Sequence, residues 1–442
     1  MYMWVFVIHI SIFILLAYLV SIKRNYLHPA VFLLMFNYFY FFIFWYIGFR
    51  FILNNSDYLN HCFVGYYYAL FYGVGLIVGI LLSSSIVRKF PITKFISLLT
   101  NFISFSFSSS LLLLLLSITF FIYLNYSAVK TLNPKDILVI REIMASQGEI
   151  IRTKVAYLTP IFHNLIYFFL ICVSYFLLKK RKWKHNIFYF LLCIIAIYAM
   201  LFTASKSSIL FVIVYGIFVY HNFIKRISPV FLVSFAIIFF ILVPYLEILR
   251  QGLELQDFRM LLTTFFGRMN FNYYLSRFLI SENYQHFDYT WSFPWMFGYL
   301  VPRTIWDLLG EEKPIPFGLT YTRFVVGDNS IFMTVASAGI GEWIHNYSNI
   351  LNLPVSLSVF LGGFFNGLVF VVFKRVLDIA IDSNNIFMFA VCLILLHIGE
   401  PIFDSCFYTT YANTLVNLFS LIFPLIALSL IFKLIRVRGV KV

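Results

Sequence analysis

The side chains best suited to chemistry in this 442-residue chain lie in one long polar stretch, about Leu249 to Asn352, and at a few isolated points outside it. Glu342 stands out among the acids. It sits in Ala338-Gly-Ile-Gly-Glu342-Trp-Ile-His-Asn346, directly after an apolar run containing small residues. That setting is expected to strip water from the carboxylate, which suits a general base that activates a hydroxyl. His345 is a weaker alternative base. The alternative to chemistry is that Glu342 caps a helix or pairs with a nearby arginine.

Cations surround this acid in the sequence: Arg250, Arg259, Arg268, Arg277, Arg303, Lys313 and Arg323 in the long stretch, and Arg141, Arg152 and Lys154 in a shorter one. A planar guanidinium binds phosphate through two parallel hydrogen bonds, so several arginines converging would hold a diphosphate. The alternative is solvated pairing with the nine acids of the same stretch. Lys206, in Thr203-Ala-Ser-Lys206-Ser-Ser208, lies between two short apolar runs with no room for a real loop. It is either a functional cation at the end of a helix hairpin or a snorkelling turn lysine. His397, Glu400 and Asp404 share one helical face at the end of another apolar run, as a lesser candidate cluster for a cavity lining or a proton path. There is no phosphate-cradling glycine loop, no DxD pair and no HExxH, so an enzyme built on these residues would use neither a nucleotide donor nor an obvious metal, and no cofactor is expected. The five cysteines are scattered, without the spacing of a zinc site or a disulfide framework.

The elements that must position these residues are transmembrane helices. The chain is 62% hydrophobic and 11% charged, outside the range of soluble domains. Crossing a hydrocarbon core of roughly 30 Å takes about 20 apolar residues. Such runs occur near 2–22, 31–53, 63–86, 103–125, 158–178, 187–204, 208–224, 229–248, 353–373, 386–403 and 412–432. The expected fold is therefore an all-α polytopic integral membrane protein of about eleven helices, within a range of about ten to twelve because the run from Ile92 to Leu124 exceeds one span. The run Met1 to Val20 lacks a basic start and a cleavage site and reads as a retained first helix.

Basic residues give the orientation. Alternate loops hold Lys23 and Arg24; Arg88, Lys89 and Lys94; the run Lys179 to Lys184; Lys225 and Arg226; Lys374 and Arg375; and the tail from Lys433 to Lys441. These account for eighteen of the 32 Lys and Arg but only two of the eighteen acids, Asp378 and Asp382, so they are assigned to the cytoplasm, with the N-terminus outside and the C-terminus inside. The net charge of +14 is thus mostly a topology signal, and nucleic acid is not an expected partner. What remains is one membrane domain, 1–442, with a small external loop at 125–158 and a large one at 249–352. In the small loop, Pro134 to Val155 patterns as an amphipathic helix with Ile137, Ile140, Met144 and Ile151 on one side. The large loop carries apolar stretches at 260–266, 291–301 and 331–340, too short to span, which are expected to form short interfacial elements roofing a cavity.

Taken together, the Phe- and Tyr-rich spans, the Lys206 hairpin, the large loop with Pro302-Arg303 followed by Lys313-Pro314, and the closing Gly341-Glu342-Trp-Ile-His-Asn346 resemble the bacterial O-antigen polymerase (Wzy) family, the oligosaccharide repeat unit polymerases. The resemblance covers most of the chain in architecture and short motifs in residues. Lys206 is a departure, standing where arginine is common, which bears on bidentate phosphate binding there. The resemblance implies a metal-independent glycosyltransferase in the cytoplasmic (inner) membrane. At its outer face, a glycan on undecaprenyl diphosphate is moved onto the end of a new lipid-linked repeat unit. It also implies membrane lipids, a chain-length regulator and a flippase as partners. Under it, Glu342, Arg303 and Arg268 are the catalytic candidates; Arg250, Lys206, Lys313, Arg141 and Arg152 bind diphosphate or glycan; His397, Glu400 and His345 are secondary. An O-antigen ligase and a lipid-linked oligosaccharide flippase are the alternatives. With an external N-terminus and an odd number of spans, a fluorescent protein fused after Val442 is expected to fluoresce and alkaline phosphatase fused there to stay inactive; the opposite pair of results inverts the topology.

Overall fold

The computed structural model describes residues 2–20, 27–87, 103–146, 158–180, 182–203, 206–228, 230–231, 241, 244–245, 248, 260, 262, 271–280, 306, 308–310, 317–327, 338–398 and 407–437. Among these there is no strand, and the protein is an all-α polytopic membrane protein. Seven helices are long and apolar enough to cross a bilayer: α1 (Tyr2–Val20), α2 (Pro29–Ile52), α3 (Ser56–Val87), α4 (Phe107–Val129), α6 (Leu158–Lys179), α7 (Trp183–Leu201) and α12 (Val355–Asp382). Shorter apolar helices are α8 (Lys206–Val219, continued by π turns at Tyr220–Ile224), α13 (Ile386–Ile398) and part of α14 (Phe407–Val437). Other described helices are α5 (Pro134–Ser146), α9 (Phe271–Ile280), α10 (Phe317–Val326) and α11 (Ala338–Trp343). Ten of the eleven expected spans coincide with these helices; the run at 229–248 lies mostly outside the described residues. Most exposed side chains of α1 and α7, such as Met3, Val7, Ile14, Phe190 and Leu191, are apolar, as a lipid-facing surface requires.

By contact the chain falls into two compact units. Unit 1 comprises 1–90, 266–375 and 396–416. Its helices α3 and α12 approach backbone to backbone. A Cβ on Gly75 or Gly79 would strike the carbonyl of Phe360 or Phe364, and one on Gly363 or Gly367 that of Tyr72 or Leu76. Two small-xxx-small pairs thus face each other, the device by which helices associate in lipid, where apolar side chains gain nothing by leaving the hydrocarbon. Asn366 Nδ2 donates to the Tyr72 hydroxyl across the same seam, at 2.7 Å.

A polar chain ties four helices of this unit together. The Nε2–H of fully buried His9 in α1 donates to the Tyr66 carbonyl of α3 (3.1 Å), which leaves Nδ1 to accept from the Tyr38 hydroxyl of α2 (2.9 Å). The imidazole stacks between Phe42 and Tyr66. Helix α2 widens into π turns at Phe39–Phe44 and Gly48–Ile52. Within the first, the Phe42 carbonyl accepts from the Tyr66 hydroxyl (3.0 Å) and the Phe41 carbonyl from Asn272 Nδ2 of α9 (3.0 Å). Side chains thereby serve carbonyls where the α-helical ladder is interrupted. Helix α9 also lies directly on α3: Gly65 N–H donates to Ser276 Oγ (2.7 Å), and a Cβ at Gly65 would meet the Asn272 carbonyl.

Unit 2 comprises 91–265, 376–395 and 417–442 and is built around α6, whose residues from Leu165 to Val173 are all buried. Helices α4, α7 and α8 pack on it. Helix starts follow local chemistry: the Ser106 side chain accepts from Ser109 N–H at α4, and Asn133 Oδ1 accepts from Lys135 N–H at α5, where Pro134 takes the first helical position and Asp136 the first turn. The Tyr198 hydroxyl of α7 holds the Leu132 carbonyl just ahead of α5 (2.8 Å), whose Ile137 and Leu138 are buried. The amphipathic helix expected at Pro134 to Val155 is described to Ser146; its continuation lies outside the described residues.

Gly363→Val places a branched side chain against the α3 backbone and is expected to lower stability by about 1–3 kcal/mol, whereas Leu81→Ala on the lipid side of α3 changes it by less than about 1 kcal/mol. Thermal unfolding of the purified protein in detergent, followed by size-exclusion chromatography, measures both.

Candidate functional site

Glu342 lies in α11, which continues without a break into π turns at Ile344–Asn349. The local sequence explains its setting. Gly341 has no side chain, so the Tyr321 ring of α10 rests on the α11 backbone where a Cβ would stand. Gly362 of α12 makes the same allowance for Trp343, whose ring stacks nearly parallel on Phe365 (5.4 Å between centroids) and Tyr347 (5.0 Å). With α11 fixed on two sides, Glu342 is 0% exposed, His345 1% and Asn346 0%. Spacings of three and four residues put these three polar side chains on one face, with allowance for the π widening that begins at Ile344. A buried carboxylate and imidazole at adjacent turns are costly unless hydrogen-bonded, and such groups concentrate where a protein works on a ligand.

The rest of the setting is aromatic. The His345 ring lies 5.6 Å from Phe317, and its Nδ1 accepts a long 3.5 Å contact from Asn349 Nδ2, in the tautomer with the proton on Nε2. Phe317 stacks on Tyr321, and Tyr321 packs on Phe278 of α9 at 4.9 Å. The Tyr321 hydroxyl reaches the Tyr274 carbonyl at 3.4 Å. Two arginines close the last turns of these helices: Arg277 of α9, exposed, lies over the Tyr273 ring at 5.9 Å, and Arg323 of α10 is half-buried. The arrangement offers a dry carboxylate and an imidazole within a wall of rings, and such rings suit stacking on the apolar faces of sugars.

Of the residues singled out from sequence, Glu342 and His345 are brought together here, one turn apart. Arg141, Lys206 and His397 lie in described helices, in α5, at the first position of α8 and at the last turn of α13, but their side chains are outside the described residues. Arg152, Arg250, Arg268, Arg303, Lys313, Glu400 and Asp404 lie wholly outside them. The apolar stretches at 260–266, 291–301 and 331–340 also fall there, apart from Met260, Leu262 and 338–340. Short helices described in unit 1 are α9, α10 and α11, the last beginning at Ala338 inside the third of those stretches. Asn346 and Asn272 carry polar contacts or burial that sequence reasoning passed over; their spacing from Glu342 and Ser276 on a shared face was the available signal.

In unit 2, the turn before α8 is short, with Phe202 and Thr203 ending α7 and Lys206 opening α8. Its base is anchored on α6: the Tyr167 hydroxyl donates to the Ser208 carbonyl (2.8 Å), and Ser208 Oγ lies 3.3 Å from His163 Nε2. His163 and Tyr167, one turn apart on α6, were not picked out from sequence.

Comparison of the chain with protein-family models, with curated proteins and with solved structures finds no significant match. The site is therefore read from its own geometry. Trp343→Ala removes the stack that fixes α11 on α12 and is expected to cost about 3–5 kcal/mol, while the near-isosteric Glu342→Gln costs less than about 1.5 kcal/mol; thermal unfolding in detergent distinguishes the two.

Proposed function

We propose that the chain is a polymerase of lipid-linked oligosaccharide repeat units, acting at the outer face of the cytoplasmic membrane and transferring a polyprenyl-diphosphate-linked glycan to the end of a new repeat. The observation that supports this reading most is the complete burial of Glu342 beside His345 and Asn346, inside a wall of aromatic rings, in a protein with seven described helices long and apolar enough to cross a bilayer. Acids buried away from water are expensive and concentrate where a protein works on a ligand.

In this reading Glu342 takes the proton from the acceptor sugar hydroxyl as that oxygen attacks the anomeric carbon of the donor. The bond from that carbon to the diphosphate breaks, and the lipid diphosphate leaves with the electron pair. Arg268 and Arg303 are assigned to the developing charge because guanidinium matches phosphate geometry, and Lys313 to sugar positioning. His345 is assigned to orientation of the acceptor. Enclosure of Glu342 has a chemical advantage: water is the competing acceptor, and a base that water does not reach favours transfer over hydrolysis. In this reading substrate reaches the carboxylate only through a local opening of the wall that buries it.

The test is polymerisation by the purified protein supplied with a polyprenyl-diphosphate-linked repeat unit, read as a ladder of glycan lengths. Glu342→Gln is expected to slow chain growth by roughly 10²–10⁴-fold with little change in thermal stability. Full polymerisation by Glu342→Gln would remove the assignment of the base, and absence of any ladder with the unaltered protein across a panel of repeat units would remove the reaction.

A further inference from the structure

One end of unit 2 carries Lys179, Lys180, Lys182, Lys184, Lys225 and Arg226, and the whole segment from 150 to 246 contains neither Asp nor Glu. Charge alone there is a topology signal. What differs is that two of these cations rim a groove. Between α7 and α8 lies a cavity of about 730 Å³, walled by Ile194, Ile197, Ile213 and Ile217, with Lys225 and Arg226 lining it as well. That size is within the ordinary range for small-molecule sites, roughly 300–1,000 Å³.

The position of the cations is built rather than incidental. Helix α8 ends in π turns at Tyr220–Ile224, Lys225 N–H donates to the Tyr220 carbonyl (2.9 Å), and the backbone then turns extended at Lys225. Two residues on, Ile227 N–H donates to His221 Nδ1 at 3.0 Å, which draws the segment back against the end of the helix. Both cationic residues are exposed there. Below them the groove stays apolar. Gly216, lacking a side chain, lets the Tyr189 hydroxyl lie against α8, where Ser174 and Cys193 engage it.

We propose that this groove binds one acidic phospholipid, its acyl chain along the isoleucine walls and its phosphate between Lys225 and Arg226. A free anion would leave the apolar walls unmatched, and a zwitterionic lipid would leave the pair of cations without net neutralisation. The site is separate from Glu342 and does not depend on the glycan chemistry. By the positive-inside pattern it faces the cytoplasmic leaflet, where acidic lipids are concentrated.

Full-length protein, stripped of lipid in mild detergent, is titrated with phosphatidylglycerol and with phosphatidylcholine of the same acyl chains, and bound lipid is counted by native mass spectrometry. One phosphatidylglycerol is expected to bind in preference, and Lys225→Gln with Arg226→Gln to weaken it roughly 30-fold and erase the preference. Lys182→Gln with Lys184→Gln, the same loss of charge at the same end outside the groove, is expected to change affinity by less than about threefold. Ile217→Trp, which fills the groove, displaces the lipid. Equal retention of the two lipids, competition by inorganic phosphate, or equal weakening by both charge pairs overturns the proposal. Thermal unfolding of each variant separates loss of binding from loss of fold, and the comparison of the two charge pairs decides the matter if Ile217→Trp does not fold.

Discussion

Unit 1 rests on four glycines that let two long helices touch through their backbones. In water, helices of this composition would associate to remove apolar surface; in hydrocarbon that drive is absent, and close contact with its dispersion energy replaces it. Gly75 and Gly79 against Gly363 and Gly367 bring α3 and α12 near enough for Asn366 to reach Tyr72. Both helices then become platforms. Helix α3 receives α9 at Gly65, and α12 receives the Trp343 ring at Gly362. The buried face of Glu342 is thus fixed through Trp343 to a helix whose own place is set by the glycine seam.

A second constraint is that polar groups inside such a unit have no water to turn to. The chain of His9, Tyr38, Tyr66 and the Phe42 carbonyl meets it by passing hydrogen bonds from helix to helix, and Asn272 does the same for Phe41. Aromatic residues fit both tasks. With 56 Phe and 30 Tyr, the chain can fill space with flat rings and still place a hydroxyl where a carbonyl needs a donor. His9 between Phe42 and Tyr66, and Tyr321 between Phe317 and Phe278, show the pattern at the core and at the candidate site.

The spans were legible because lipid imposes a length and a polarity that few sequences meet by accident, and α5 because apolar residues such as Ile137 and Ile140 recur at helical spacing after Pro134. The burial of Glu342 was legible too, since small apolar residues precede it. What was not legible were the two further helices beside it, α9 and α10. Helix α9 is held on α3 by Ser276, Asn272 and a glycine contact, features that lower its apparent apolarity. The wall made by Phe317 and Tyr321 depends on which helix faces Gly341, and a single sequence does not encode that pairing in any local pattern. Nor do the π turns leave a compositional trace.

Those π turns have a consequence for how the chain tolerates change in length. A π turn accommodates one residue more than the α-helical repeat, so removing a residue from Phe39–Phe44 would let α2 close into a regular α-helix. Because the wide turn already absorbs the extra residue, the two halves would keep nearly the facing they have now, with Tyr38 still toward His9. The same deletion in regular α-helix would turn everything beyond it by about 100° and slide it by about 1.5 Å. A residue lost inside the widened turn would therefore be borne far better than one lost elsewhere in the helix, its main effect being on the carbonyls of Phe41 and Phe42 that Asn272 and Tyr66 now serve.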